Sequence, residues 1–129
     1  MKQQSDHSEN MLMEVNENLV VAAKAALEKK ALRLTALDLR NITSIADAFL
    51  ICSGTSNRQV QAIADAIIDK LRAAGSRPMH VEGYDVAEWI LIDYGYLVVH
   101  VFSERARDFY DLERLWRDGA RIEIQDVAP

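Results

Sequence analysis

The chain has 129 residues, 50% of them hydrophobic and 27% charged, with a formal net charge of −5. That is one ordinary globular domain, long enough to bury a core, and an acidic balance without a basic run argues against affinity built on phosphate contacts. Apolar runs fall short of the ~18–20 residues that span a bilayer, and Cys52, the single cysteine, excludes an intrachain disulfide and a cysteine-built zinc site.

Residues 1–15, MKQQSDHSENMLMEV, are polar and acidic and read as a flexible tail. They have neither the cationic start and apolar core of a secretory signal nor the Arg-rich character of a transit peptide, so a cytoplasmic location is expected. From Asn16 to Leu32 the spacing predicts a helix, with Leu19, Ala22, Ala23, Ala26 and Leu27 on one face. LTALDL, residues 34–39, alternates and predicts a strand. After the connector NITSIAD, the run AFLICSG is nearly all apolar, the pattern of a strand buried on both faces. Ser56 with Gln59 has capping-box spacing. The stripe Val60, Ile63, Ala64, Ile67, Leu71, Ala74 follows, and Gly75 and Pro78 end the helix. RPMHVEG is a third strand, and EWILIDYGYLVVHVF, residues 88–102, reads as a hairpin about Tyr94-Gly95. Ser103 opens a last helix carrying Phe109, Leu112, Leu115 and Trp116 as far as Asp118, and Gly119 closes it. ARIEIQDVAP, residues 120–129, is a C-terminal tail with one short strand. The order predicts a single α/β domain over residues 16–119, a mixed five-stranded sheet with helices packed on it.

A two-residue loop at Tyr94-Gly95 pairs Asp93 with Tyr96, Leu91 with Val98 and Trp89 with His100. Ile90, Ile92, Leu97, Val99 and Val101 then form an aliphatic core face, each contributing about 1.5–3 kcal/mol on burial. The other face, Trp89, Leu91, Val98, His100 and Phe102, is apolar with hydrogen-bonding tips. It either packs beneath the C-terminal helix or accepts a partner.

A catalytic arrangement is not apparent. His7, His80 and His100 lack the spacing of a zinc helix, and Cys52 lies in an apolar strand where thiols serve as packing. SGTSNRQ offers a glycine and a helix N-terminus but no phosphate-loop lysine. In DFYDLERLWRD, Asp108, Asp111, Glu113 and Asp118 are interleaved with Arg105, Arg107, Arg114 and Arg117, the pattern of a salt-bridged solvent face. No catalytic, cofactor-binding or metal-binding residue is assigned.

SIADAFLICSGTSNRQVQAIADAI, EGYDVAEWILIDYGYLVVHVF and RDFYDLERLW, in this order and spacing, resemble the signature blocks of the ribosomal silencing factor, or iojap-like, family. The resemblance covers about Leu19 to Trp116. It implies a domain shaped like the nucleotidyltransferases, whose motif pairs a Gly-Ser turn with two aspartates. SGTSNRQ lacks those aspartates, so no enzyme is expected. The resemblance implies docking on the fourteenth protein of the large ribosomal subunit, with little direct RNA contact and no membrane. Small-subunit joining is then blocked and translation falls, notably under nutrient limitation. It also implies that Trp89 belongs to the docking surface, with Tyr84 and His100 beside it and Glu82 and Asp93 as acidic neighbours. Tyr96 departs from the family by replacing a common acidic residue, which leaves Asp93 as the carboxylate at the turn. Two other readings compete: a cryptic nucleotidyltransferase using Gly54, Ser56 and nearby carboxylates, and a homodimeric adaptor, since family members can self-associate.

Overall fold

The computed structural model describes residues 16–117 and 119–122; the expected tail over 1–15 and most of that over 120–129 lie outside them. Helix α1, residues 16–28, precedes β1 (Leu32–Asp38), β2 (Ala48–Gly54), α2 (Asn57–Ala73), β3 (His80–Glu82) and β4 (Trp89–Asp93). Then follow β5 (Leu97–Ser103), α3 (Glu104–Tyr110), α4 (Leu112–Leu115) and β6 (Ala120–Arg121). All strands join one sheet in the order β3-β4-β5-β2-β1-β6. The strands read from the sequence make its mixed body, and two-residue β6 pairs with β1 at one edge.

The centre is the parallel pair β2 and β5, in register from Ala48↔Leu97 to Gly54↔Ser103. Every residue of both strands is buried, because a parallel pair is covered on both faces. Strand alternation then sorts side chains into two cores. Ala36, Leu50, Cys52, Ile90, Ile92, Val99 and Val101 meet Leu19, Ala22 and Ala26 of α1 and Val60, Ile63, Ile67 and Leu71 of α2. Leu37, Phe49, Ile51, Val98 and Phe102 face the other way, against Ala106, Leu112 and Trp116.

Helix α1 stops short of the predicted Leu32. Lys30 adopts a left-handed φ of +62°, and the N–H of Ala31 closes on the carbonyl of Ala26 at 3.1 Å. Lysines are good helix formers, so this stop has no signal in propensity. Helix α2 is bounded as its sequence states. Ser56 Oγ accepts the N–H of Gln59 at 3.1 Å. The glutamine does not reach back to Ser56; its Oε1 accepts the N–H of Thr55 at 2.6 Å, and its Nε2 donates to the carbonyls of Lys29 and Lys30 at 3.1 Å each. One side chain thus holds both the start of α2 and the turn after α1. At the other end the N–H of Ser76 reaches Leu71 at 2.8 Å and that of Gly75 reaches Arg72 at 3.0 Å, with Gly75 left-handed at φ +91°, a Schellman cap.

The hairpin register is corrected by the structure. Trp89 lies opposite Phe102, Leu91 opposite His100 and Asp93 opposite Val98, two residues from the predicted pairing. A two-residue type I′ loop needs a positive φ at both central positions. Only Gly95 has one, at +87°, and Asp93 Oδ1 accepts its N–H at 2.7 Å. Tyr94 is buried on the α1 and α2 side and its N–H bonds to the carbonyl of Leu97 at 2.8 Å, so the connection widens. A slip of two leaves each side chain on its predicted face.

The last helix is also corrected. Asp111, left-handed at φ +47°, divides it into α3 and α4. Ser103 does cap α3, accepting the N–H of Ala106 at 3.1 Å. Leu112 and Trp116 pack inward, whereas Phe109 and Leu115, predicted on the same apolar stripe, are 79% and 74% exposed.

The α2 stripe generates a direct test. Ile67 is fully buried, so Ile67→Ala should lower stability by about 2–5 kcal/mol. Chemical denaturation measures it, and an unchanged midpoint with normal cooperativity would contradict this packing.

Candidate functional site

The second face of the sheet concentrates the aromatic residues. Trp89 begins β4 and is half-buried. Its ring lies 5.0 Å from that of Phe102, 5.9 Å from that of His100 and 4.8 Å from that of Tyr110. Phe49 joins from β2, 4.6 Å from His100 and 5.7 Å from Trp116, and Phe109 packs edge-on against Tyr110 at 5.0 Å. A continuous set of rings therefore runs from the interior to the surface.

The polar tip of the tryptophan is used inside. Trp89 Nε1–H donates to His100 Nδ1 at 3.1 Å. This puts the neutral imidazole proton on Nε2, which is buried and has no partner among the described residues. Burial pushes the His100 pKa down to about 3, since charging the ring here is costly. What Trp89 offers to the outside is the apolar edge of its indole.

Pairing across the strands organises the surroundings. Glu82, Leu91 and His100 lie in one row and His80, Asp93 and Val98 in the next. The Glu82 carboxylate is exposed, 3.4 Å from His80 Nε2. Asp93 is half-buried, with one oxygen occupied by Gly95. Trp89, His100, Glu82 and Asp93 thus share a face, as expected. Tyr84 does not join them. It packs on the α1 and α2 core, and its hydroxyl donates to Asp65 of α2 at 3.0 Å, which raises the phenol pKa. The family segment leaves β3 at Gly83, whose φ of +79° sends Tyr84 to the opposite side; a Cβ at Gly83 would collide with the Trp89 carbonyl.

Sequence reasoning missed Tyr110, which borders Trp89, and Phe109 beyond it: the helical spacing puts Phe109 on an apolar stripe and gives no signal for Tyr110. It also placed Arg107 on a solvent face. Arg107 is 2% exposed; its guanidinium donates to both oxygens of Glu113, at 3.1 and 2.9 Å, and to Thr35 Oγ1 at 3.2 Å. These bonds hold the Glu113 carboxyl below its ordinary range. They also link α3 to α4 across the turn at Asp111. Glu88 ties the start of the same corner: its carboxylate accepts Ser103 Oγ–H at 2.9 Å and lies 3.4 Å from Arg105. Ser56, considered for a nucleotide site, is occupied as the α2 cap, and Cys52 is buried with its thiol pKa pushed up to about 12.

Comparison with known proteins adds a separate finding. Residues 12–129 match the family model described as ribosomal silencing factor during starvation. A ribosomal silencing factor RsfS from Bacillus subtilis is 47% identical over 106 residues, 82% of this chain and 90% of that protein. The RsfS of Halalkalibacterium halodurans is 44% identical over 115 residues, 89% of this chain and 98% of its own. A crystal structure of a Chromobacterium violaceum protein superposes with a TM-score of 0.77 at 36% identity, covering 83% of this chain and 88% of that one.

The buried imidazole makes stability depend on pH. The folded-state pKa of His100, about 3, lies below the ordinary ~6.5 of the unfolded chain. The unfolded state therefore takes up a proton first, and stability present above about pH 6.5 is lost as pH falls toward 3, on the order of 5 kcal/mol in all. Between pH 6.5 and 5 denaturation midpoints should fall in the parent and stay nearly level in His100→Leu. Equal slopes in both proteins would show that His100 is not the titrating group. Glu113 adds its own loss only at lower pH, because its depressed pKa acts within the carboxylate range.

Proposed function

The chain belongs to the ribosomal silencing factor family, and we propose that it docks on the large ribosomal subunit through that subunit's fourteenth protein and blocks small-subunit joining by occupying the joining surface. The observation that carries this reading is the partly buried indole of Trp89, which the α3 and α4 cover does not close over completely. It is held by His100, Phe102 and Tyr110, with Glu82 opposite Leu91 and Asp93 four residues along β4 on the same face. A rigid aromatic ring at the centre of a face is the usual source of binding energy, while rim charges govern approach. Ribosomal proteins are basic as a class, and a chain of net charge −5 is attracted to such a surface over a screening length of about 8 Å. The action needs no bond-making residue. Occupancy is sufficient, so repression follows the fraction of subunits bound, and the conditions of nutrient limitation that the family description names would act by changing that fraction.

In this reading Trp89 is the anchor, with Leu91, Glu82 and Asp93 around it. His100 acts from below by fixing the indole. Tyr84, on the opposite side, supports the β3–β4 connection through Asp65.

Trp89→Ala should weaken large-subunit binding by roughly 30-fold, the equivalent of ~2 kcal/mol, at a temperature where the variant remains folded. Subunit pelleting and thermal unfolding of the same preparation measure both. If the variant unfolds, the indole is chiefly packing; if it is folded and binds like the parent, docking lies elsewhere. Light scattering on mixing the two subunits provides the functional readout. The parent protein, preincubated with large subunits, should slow joining in proportion to occupancy, and undiminished joining at saturation would refute occlusion.

A further inference from the structure

Beside the Trp89 face lies a groove with a different chemical character. Phe109, Tyr110, Asp111, Arg114, Leu115 and Arg117 line it. The Phe109 ring is 79% exposed and is steadied by Tyr110, whose ring meets it at 88°. Among the described residues Arg33, Arg105 and Arg107 each form an ion pair, whereas neither Arg114 nor Arg117 does. The groove thus combines an open aromatic ring, two guanidiniums and a carboxylate.

We propose that this groove is an RNA contact, in which a single-stranded base stacks on Phe109 while Arg114 and Arg117 hold flanking phosphates. The proposal rests on the ribosome reading above and adds a contact that the sequence did not lead us to expect. Each group has a use. Aromatic rings serve as stacking platforms for unpaired bases. Guanidiniums match phosphate geometry. Asp111, lining the same groove, can accept from a ribose 2′-hydroxyl or an exocyclic amine. An acidic peptide would use the arginines but leave the exposed Phe109 ring without a stacking partner. The net charge of −5 opposes RNA at a distance, so the contact forms only once the Trp89 face has docked. It is an accessory contact within a ribosome-bound state.

The experiment uses the full chain with two targets, whole large subunits and the isolated fourteenth protein. The variants are Phe109→Ala and the double variant Arg114→Gln with Arg117→Gln. All these side chains are exposed, and unfolding midpoints should match the parent. For whole subunits, each variant should lose about tenfold in affinity. The double variant should also flatten log K against log salt by about 1.4, the value for two lost single-strand phosphate contacts. Affinity for the isolated protein should not change. Equal losses on both targets would make the groove part of the protein contact and overturn the proposal, and so would no loss on either. Ultraviolet cross-linking of bound complexes tests the groove independently of docking through the fourteenth protein. A nucleotide joined to the peptide carrying Phe109 supports the proposal, and its absence in a complex that pellets overturns it. Should Trp89→Ala bind both targets like the parent, the docking reading fails while the cross-link still decides the groove.

Discussion

The parallel pairing of β2 with β5 is the constraint on which the rest of the molecule depends. Its seven registered pairs, Ala48↔Leu97 to Gly54↔Ser103, join strands separated by α2 and two further strands. Closing so long a loop is entropically costly and is offset only because both strands bury every side chain. Two-sided burial then requires cover on each face. Helices α1 and α2 supply it on one side, and α3 with α4 on the other. The second cover is shorter, and this leaves β3 and β4 open on the face that carries Trp89.

That open face is held by polar interactions as much as by packing. Trp89 Nε1–H donates to His100 Nδ1 at 3.1 Å, which fixes the indole. Burial keeps the imidazole neutral to well below its ordinary range. On the neighbouring corner, Arg107 is enclosed with Glu113 and Thr35. A buried ion pair is weak evidence for net stability, but losing one partner leaves an uncompensated charge. Its effect here is geometric: it links the helices on either side of the turn at Asp111.

Single side chains also connect distant segments. Gln59 clamps the turn after α1 while it caps α2. Tyr96, after the hairpin turn, accepts Asn18 Nδ2–H at 2.6 Å and meets Ser76 Oγ at 3.1 Å. An acidic residue there would be a charged acceptor for both groups; the phenol reaches them without placing a charge between two helix ends. The turn therefore contributes to closing the core.

The sequence by itself determined whatever depends on local pattern. The continuous apolar run in AFLICSG marked the central strand, the Ser56 to Gly75 signals bounded α2, and alternation in EWILIDYGYLVVHVF assigned each side chain to its face. Three ordered blocks were enough to indicate the family. Periodicity specifies direction but not partner, so the hairpin register slipped by two residues while both faces remained right. Only the tertiary structure decided where the chain leaves a regular element. Lys30 and Asp111 are left-handed in turns tied by Gln59 and by the Arg107–Glu113 pair; aspartate tolerates that conformation, but lysine announces no helix end. The same holds for the site. Trp89 and His100 were legible as members of one face, but Tyr84 was turned away by Gly83, and Tyr110 was brought beside Trp89 by the packing of α3 on the sheet. Adjacency of that kind is a property of long-range packing, which a linear pattern does not encode.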